Sequence, residues 1–276
     1  MTVAVWVKVF DGLVLATDSA TTLMTRNGDK QVYNNADKVF HLHRALPVGA
    51  MTWGLGVVGP ASISTLSKSF RLRLMGRDPR YKDWQLDPNT YNIREVAERA
   101  AQMFELAAND AQWTTFPSGM GYFVAGYSAG CDQAEAWLLE FEDATLRPTP
   151  YQVLRDVDYG FRAYAQPFAI ERLFNGYDQG LQAALKASTD ASAHPTIDAI
   201  LRSQEVDPVQ SGMPLPDAIT LARFMVETTA GFARFRLGPD TVGGPVEVAS
   251  INLHEGFRWI SRKHYFKPEL NQGEQR

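Results

Sequence analysis

Val3, Val5, Val7 and Val9 alternate with Ala4, Trp6, Lys8 and Phe10, a period-two pattern rich in β-branched side chains that predicts a strand. Asp11-Gly12 supplies a short hairpin signal, and Leu13 to Thr17 returns as a second strand. The polar stretch from Thr21 to Asn35 reads as a loop with a turn at Asn27-Gly28. Val39 to Leu42 and Ala50 to Leu55 then read as a further pair of short strands. After Pro60 the period changes: Ile63, Leu66, Phe70 and Leu74 sit three or four apart, with Lys68, Arg71 and Arg73 between them. Pro60 suits the first turn of such a helix. Tyr81 to Thr90 is a polar connection, and Asn92 is placed to cap a longer helix from Ile93 to about Trp113.

Tyr122 to Tyr127 and Glu135 to Phe141 predict two more strands, and Tyr151 to Arg162 is ambiguous, with room for two short ones. Ala169 to Leu185 has helical spacing that Gly176 and Gly180 can interrupt. Ser188 to Met213 holds Pro195 and Pro208 and reads as irregular, with one short helical piece. Pro216 to Phe232 is a clear helix, and Val246 to Leu253 with Phe257 to Ile260 forms a closing hairpin. Runs of antiparallel strands separated by runs of helices imply α+β layers and not a parallel βαβ sheet. A four-layer αββα sandwich, two antiparallel sheets flanked by helices, satisfies this order. The expectation is one domain over residues 1–266 and a polar, loose tail over 267–276.

Composition narrows the function more than the fold. Apolar residues make up 45% and charged residues 21% of 276 residues, the balance of an ordinary globular core. A net charge of −4 gives no electrostatic case for nucleic acid or an anionic membrane. Cys131 is the single cysteine, which excludes an internal disulfide and a cysteine metal cluster. The start carries no basic, apolar, small-residue sequence of a signal peptide, and no stretch approaches the roughly 18 apolar residues of a membrane span. These features lead to the expectation of a cytoplasmic protein whose mature chain starts close to Met1.

Three residues near the start suggest chemistry: Thr2, Asp18 at the end of the second strand, and Lys38 before the third. Singly each is bland. A threonine at position two is common, an aspartate closing a strand is ordinarily a turn residue, and a lysine beside an aspartate is ordinarily solvated.

Their order is what resembles a known family. Thr2-Val3-Ala4-Val5 through Asp11-Gly12-Leu13-Val14-Leu15-Ala16-Thr17-Asp18-Ser19 is similar to the opening of proteasome β subunits and their bacterial relatives. Asp37-Lys38-Val39 resembles the family's Asp-Lys-Ile element, and Gly54-Leu55-Gly56 its Gly-x-Gly element. The match covers about sixty residues and returns more weakly over Met213 to Trp259. Length and segments such as Gln166-Pro167-Phe168 place the resemblance in the bacterial proteasome-related branch, Anbu- or HslV-like. It implies an N-terminal-nucleophile hydrolase with Thr2 as nucleophile after loss of Met1.

The chemistry this would need is direct. A threonine hydroxyl needs an adjacent base, and a free α-amino group with a pKa of roughly 7.7–8.0 can serve. Lys38 would keep that amine neutral by like-charge repulsion, and Asp18 would pair and orient Lys38. The resemblance assigns the Gly56 N–H to the tetrahedral oxyanion. The family's further supports for the terminal amine match less cleanly: the best register puts Gly160-Phe161-Arg162 near one, and Asp240 and Thr241 near the other.

The expected activity is that of a threonine-type peptidase, a self-assembling amide hydrolase acting on a peptide or protein without a cofactor or metal. A catalytically inactive proteasome-like subunit and a small-molecule amidase or acylase are the alternatives. Assembly into a ring or open spiral is expected by analogy, with any unfolding partner unknown.

Other constellations carry less. His41 and His43 share a strand face, as metal ligands sometimes do, but no third ligand follows by spacing. Gly126-Tyr127-Ser128-Ala129-Gly130 spells a nucleophile elbow, which requires a strand-to-helix turn where another strand is predicted. Gly54, Gly56 and Gly59 match a dinucleotide fingerprint without a βαβ unit. Cys131 reads as a packing or loop residue.

Overall fold

The valine alternation places the first strand between two apolar layers. In the computed structural model, which describes residues 2–24, 30–142, 145–155, 158–237 and 241–264, β1 (Val3–Val9) is buried along its whole length. Val3, Val5, Val7 and Val9 pack outward against a helix, while Ala4 and Trp6 point into the space between two sheets. The first sheet joins β12 (Gly160–Ala165), β1, β2 (Gly12–Thr17), β13 (Glu247–Asn252) and β14 (Gly256–Ser261) in that order. The second joins β11 (Tyr151–Leu154), β10 (Glu135–Phe141), β9 (Met120–Gly126), β6 (Val48–Gly54) and β5 (Val39–His41). Every pairing in both sheets is antiparallel.

Helices close the outer faces. On the first sheet α6 (Leu215–Arg234) buries Ala218, Ala222, Met225 and Val226 against the valines, with α3 (Phe168–Phe174) beside it. On the second, α1 (Ile63–Leu74) and α2 (Ile93–Asp110) bury Phe70, Leu74, Val96, Ala100 and Phe104 against Ala50, Tyr122 and Val124. Between the sheets Leu13, Leu15, Met51, Phe123 and Ala125 complete a third apolar layer. The architecture is therefore the four-layer αββα sandwich expected from the element order. None of the described helices is long and apolar enough to cross a membrane.

Local chemistry explains the boundaries. Asn92 caps α2 through Glu95 N–H at 2.8 Å, as its sequence position predicts. Ser62, not Pro60, starts α1 by accepting from Thr65 N–H at 3.1 Å; the proline lies in the turn between β7 (Val57–Val58) and β8 (Ala61–Ser62). The polar stretch after Ser19 is not a plain loop: β3 (Thr21–Met24) and β4 (Lys30–Tyr33) pair there, and Asn27-Gly28 lies outside the described residues. The apolar run after Ala169 divides where Gly176 adopts φ 78° and Asp178 caps α4 (Gln179–Ala187). The following proline-bearing segment contains α5 (His194–Arg202), with Pro195 in its first turn. Gly12 is needed for closeness and not for a left-handed turn, since a Cβ there would lie 2.9 Å from Ile251 O. The expected tail from 267 falls outside the described residues.

Candidate active site

The hairpin β1–β2 and the start of β5 bring Thr2, Asp18 and Lys38 together. Asp18 is fully buried at the end of β2, where each carboxylate oxygen accepts two hydrogen bonds. Oδ1 takes the Val3 N–H at 3.1 Å and Lys38 Nζ at 2.8 Å. Oδ2 takes the N–H groups of Ala20 and Gly243, each at 3.0 Å. A buried carboxylate satisfied in this way costs little of what an unpaired one would.

Lys38 is 5% exposed and Thr2 3%. Its Nζ donates to Thr2 Oγ1, Asp18 Oδ1 and Ala20 O, which uses all three donors of the ammonium form. Burial is the largest influence on Lys38 and lowers its pKa, against the opposing pull of Asp18. As a neutral amine Lys38 would have one lone pair in a shell of three groups, of which only the Thr2 hydroxyl carries a proton to give.

A second charged layer lies behind this one. Glu247, at the start of β13, is 1% exposed and accepts from Lys263 Nζ at 2.9 Å and from the Lys38 N–H at 3.4 Å. Lys263 also donates to Ser19 Oγ at 2.9 Å and Ala36 O at 2.7 Å. The segment after β14 is thereby tied to the residues flanking both Asp18 and Lys38. The chain from Gly243 to Pro245 closes the same end: Ser19 N–H donates to Gly243 O at 2.9 Å, and Ser19 Oγ to Pro245 O.

Thr2 and Lys38 open onto a cavity of about 510 Å³, within the range of small-molecule and peptide side-chain sites. Thr21, Thr22 and Tyr33 of the β3–β4 hairpin form one wall, and Trp53, Leu55 and Val57 another. Trp53 stacks on Tyr164 at 4.3 Å, linking the two sheets. Gly121 lies under the indole, where a Cβ would fall 2.1 Å from the ring.

Gly56 lines this cavity, as does Gly54. Thr52 N–H donates to Lys38 O at 2.9 Å. Because N–H groups two residues apart on a strand point the same way, the Gly54 N–H leaves β6 on the Lys38 side. Gly54 has φ 86°, and a Cβ on it would lie 2.2 Å from Gly119 O. Gly56 has no left-handed φ, and a Cβ there meets only Thr21 Oγ1 at 3.2 Å. Gly54 was not singled out by the Gly-x-Gly spacing; the alternation of β6 distinguishes it.

The supporting loops sit differently from their sequence register. Gly160 and Arg162 pair with Lys8 and Trp6, at the far end of β1. Val3 pairs with Ala165, so the next position, Gln166, falls beside Thr2. Ala165 has φ 69° with a Gln166 N–H to Tyr164 O hydrogen bond of 2.9 Å, a tight turn that a non-glycine residue adopts only under strain. Gln166 Nε2 then donates to Thr241 Oγ1 at 3.1 Å. Thr241 is buried there and does not line the cavity; Asp240 lies outside the described residues.

The remaining motifs lack the setting their motif chemistry requires. Ser128 caps α2 by accepting the Ile93 N–H at 2.9 Å and donates to Glu135, with a strand and not a helix next in the sheet. The Gly54-Gly56-Gly59 segment follows an antiparallel strand. His41 stacks on Phe257 at 4.4 Å, and His43 Nδ1 accepts from the N–H groups of Ala45 and Leu46. Among the described residues no group of three or more His, Cys, Asp or Glu side chains is placed to hold a metal. Cys131 is exposed.

No protein-family model matches the chain, and no curated protein sequence does. Among solved structures, Anbu (ancestral beta-subunit) from Yersinia bercovieri is similar over 95% of this chain and 88% of its own, at 14% identity and a TM-score of 0.53. That similarity shows a proteasome-like fold.

Proposed function

We propose that the protein is a threonine-type amide hydrolase, most simply a peptidase, with Thr2 as nucleophile once Met1 is lost. The observation that carries this reading is the Lys38 ammonium held between Thr2 Oγ1 and the buried Asp18 carboxylate. Thr2 Oγ1 attacks the carbonyl carbon of the scissile amide and its proton passes to the neutral α-amine, while the Lys38 ammonium donates to Oγ1. The C–N bond breaks as that proton reaches the leaving amine, which leaves an ester on Thr2. Water then attacks the ester, restores the hydroxyl and releases the acid. A backbone N–H at Gly54 or Gly56 holds the developing oxyanion. Asp18 orients Lys38 and balances its charge without exchanging protons with substrate. Thr241 and Gln166 support the strand end that carries Thr2.

The test reads the start of the chain and its reactivity together. Intact-mass measurement is expected to show Thr2 as the first residue, and a hydroxyl-directed electrophile is expected to add once, on Thr2. The adduct is expected to vanish in Thr2→Ala with the fold retained. Active protein that keeps Met1 throughout, or hydrolysis unchanged in Thr2→Ala, would sink the proposal. An unlabelled Thr2 in a protein without amide hydrolysis would favour the inactive-subunit reading.

The proposal includes self-association into a ring or open spiral. Of the large apolar residues on α1 and α2, only Leu72 is exposed. Exposed apolar side chains lie instead along and beyond α6, at Phe224, Phe232, Phe235 and Leu237, as contacts between copies would require. Light scattering at micromolar concentration is expected to exceed the 30.7 kDa monomer mass, and a strict monomer would remove this part of the proposal.

A further inference from the structure

A second cavity, of about 250 Å³, lies between edge strand β5, helix α1 and the end of β14. Its polar lining is dominated by cations from three separate places: Arg44 after β5, Lys68 and Arg71 on α1, and Arg262 after β14. The acids in the lining are already engaged. Asp37 accepts from Ser64 at 2.8 Å and Lys68 at 3.1 Å, and Glu247 pairs with Lys263. Lys68 is thus balanced, whereas Arg71 and Arg262 have no carboxylate partner among the described residues. Arg262 lies over the Trp259 ring at 5.0 Å, and both side chains line the cavity.

Arg71 is the informative member. It is only partly exposed, and burial followed by repulsion from Arg44, Arg262 and Arg77 lowers its proton affinity. A guanidinium desolvated among other guanidinium groups is a local cost that an unrelated fold requirement does not explain. An oxyanion removes the cost by accepting forked hydrogen bonds from arginine.

We propose that this cavity is an oxyanion site, in which Arg71 and Arg262 bind a single phosphate or carboxylate group. The volume is below that of a typical drug-sized or nucleotide pocket, so the ligand is a small anion or the charged end of a larger molecule. His41 lies in the same lining and is neutral at neutral pH, its pKa lowered to about 4 by burial and by Arg71. It therefore adds no charge and offers a ring nitrogen. Asp37 lines both this cavity and the one containing Thr2, so the two share a wall. The proposal does not depend on the activity of Thr2.

The test is calorimetric titration of the full chain with inorganic phosphate and, separately, acetate, against chloride at matched ionic strength. Saturable one-to-one binding of phosphate or acetate is expected, and the tighter of the two identifies the group that the site prefers. Arg71→Gln is expected to weaken binding by about tenfold or more, the effect of losing a charge-assisted hydrogen-bond pair. Arg262→Gln, at an exposed position, is expected to weaken it in the same direction and serves if Arg71→Gln does not fold. No saturable binding of either anion at matched ionic strength, or binding unchanged in the folded variants, overturns the proposal.

Discussion

Lys38→Met is expected to reduce amide hydrolysis by about 10²–10⁴-fold, the range for removal of a positioned acid–base group, and to destabilise the fold as well. The two effects have different origins. The first follows from the contact of Lys38 Nζ with Thr2 Oγ1. The second follows from Asp18, which is fully buried and loses the cation 2.8 Å away. Breaking a buried pair from one side costs about 3–5 kcal/mol. Asp18 keeps three backbone donors, so the lower end is expected, a fall in melting temperature of roughly 6–10 °C for a chain of this size. Asp18→Asn combined with Lys38→Met is expected to recover much of that stability and none of the activity. The Lys38 pKa is lowered on folding from 10.5, so between its folded value and 10.5 the unfolded chain binds more protons. Stability from this group therefore rises with pH across that window, and the rise is expected to be absent in Lys38→Met. Denaturant titrations across pH, alongside kcat for an amide substrate, check all three. Full activity in a folded Lys38→Met protein would remove Lys38 from the mechanism.

The elements most legible in the sequence were those with one dominant period. The valine alternation of β1, the Asn92 cap of α2 and the apolar stripe of α6 each stated their structure locally. The β3–β4 hairpin was hidden because each strand is only four residues long and neither TTLM nor KQVY alternates apolar with polar positions. The break between α3 and α4 was visible only as a possibility, since Gly176 at φ 78° is compatible with either reading until its tertiary setting is known.

The candidate site divides along the same line. Thr2, Asp18 and Lys38 were readable because their order resembles the opening of proteasome β subunits, and the β1–β2 hairpin brings the Thr2 end of β1 beside Asp18. The groups around them come from distant chain. Gly243 reaches Asp18 across 225 positions, and Glu247 with Lys263 forms the layer behind Lys38. No local spacing connects such residues. Gln166 was missed for another reason: its proximity to Thr2 depends on the register of β12 against β1, and that strand was itself ambiguous. A register error of a few residues moved the expected support to Gly160–Arg162, the wrong end of the sheet.

Gly54→Ala and Gly56→Ala together are expected to identify the oxyanion donor. Gly54 has φ 86°, and its added methyl would meet Gly119 O at 2.2 Å and Met120 Cα at 2.9 Å. Both are backbone atoms, so β6 itself must move, and the N–H aimed past Lys38 moves with it. Losing one oxyanion donor costs about 10²–10³ in kcat, and the left-handed backbone adds roughly 1–2 kcal/mol of destabilisation. Gly56→Ala meets a single threonine hydroxyl at 3.2 Å with no left-handed strain. It is expected to fold normally and to change KM more than kcat, because its methyl enters the cavity without displacing the Gly54 amide. The opposite result, kcat collapsing in a stable Gly56→Ala protein, would return the oxyanion role to Gly56 as the family resemblance first implied. Equal kcat in all three proteins would remove both glycines from the oxyanion role.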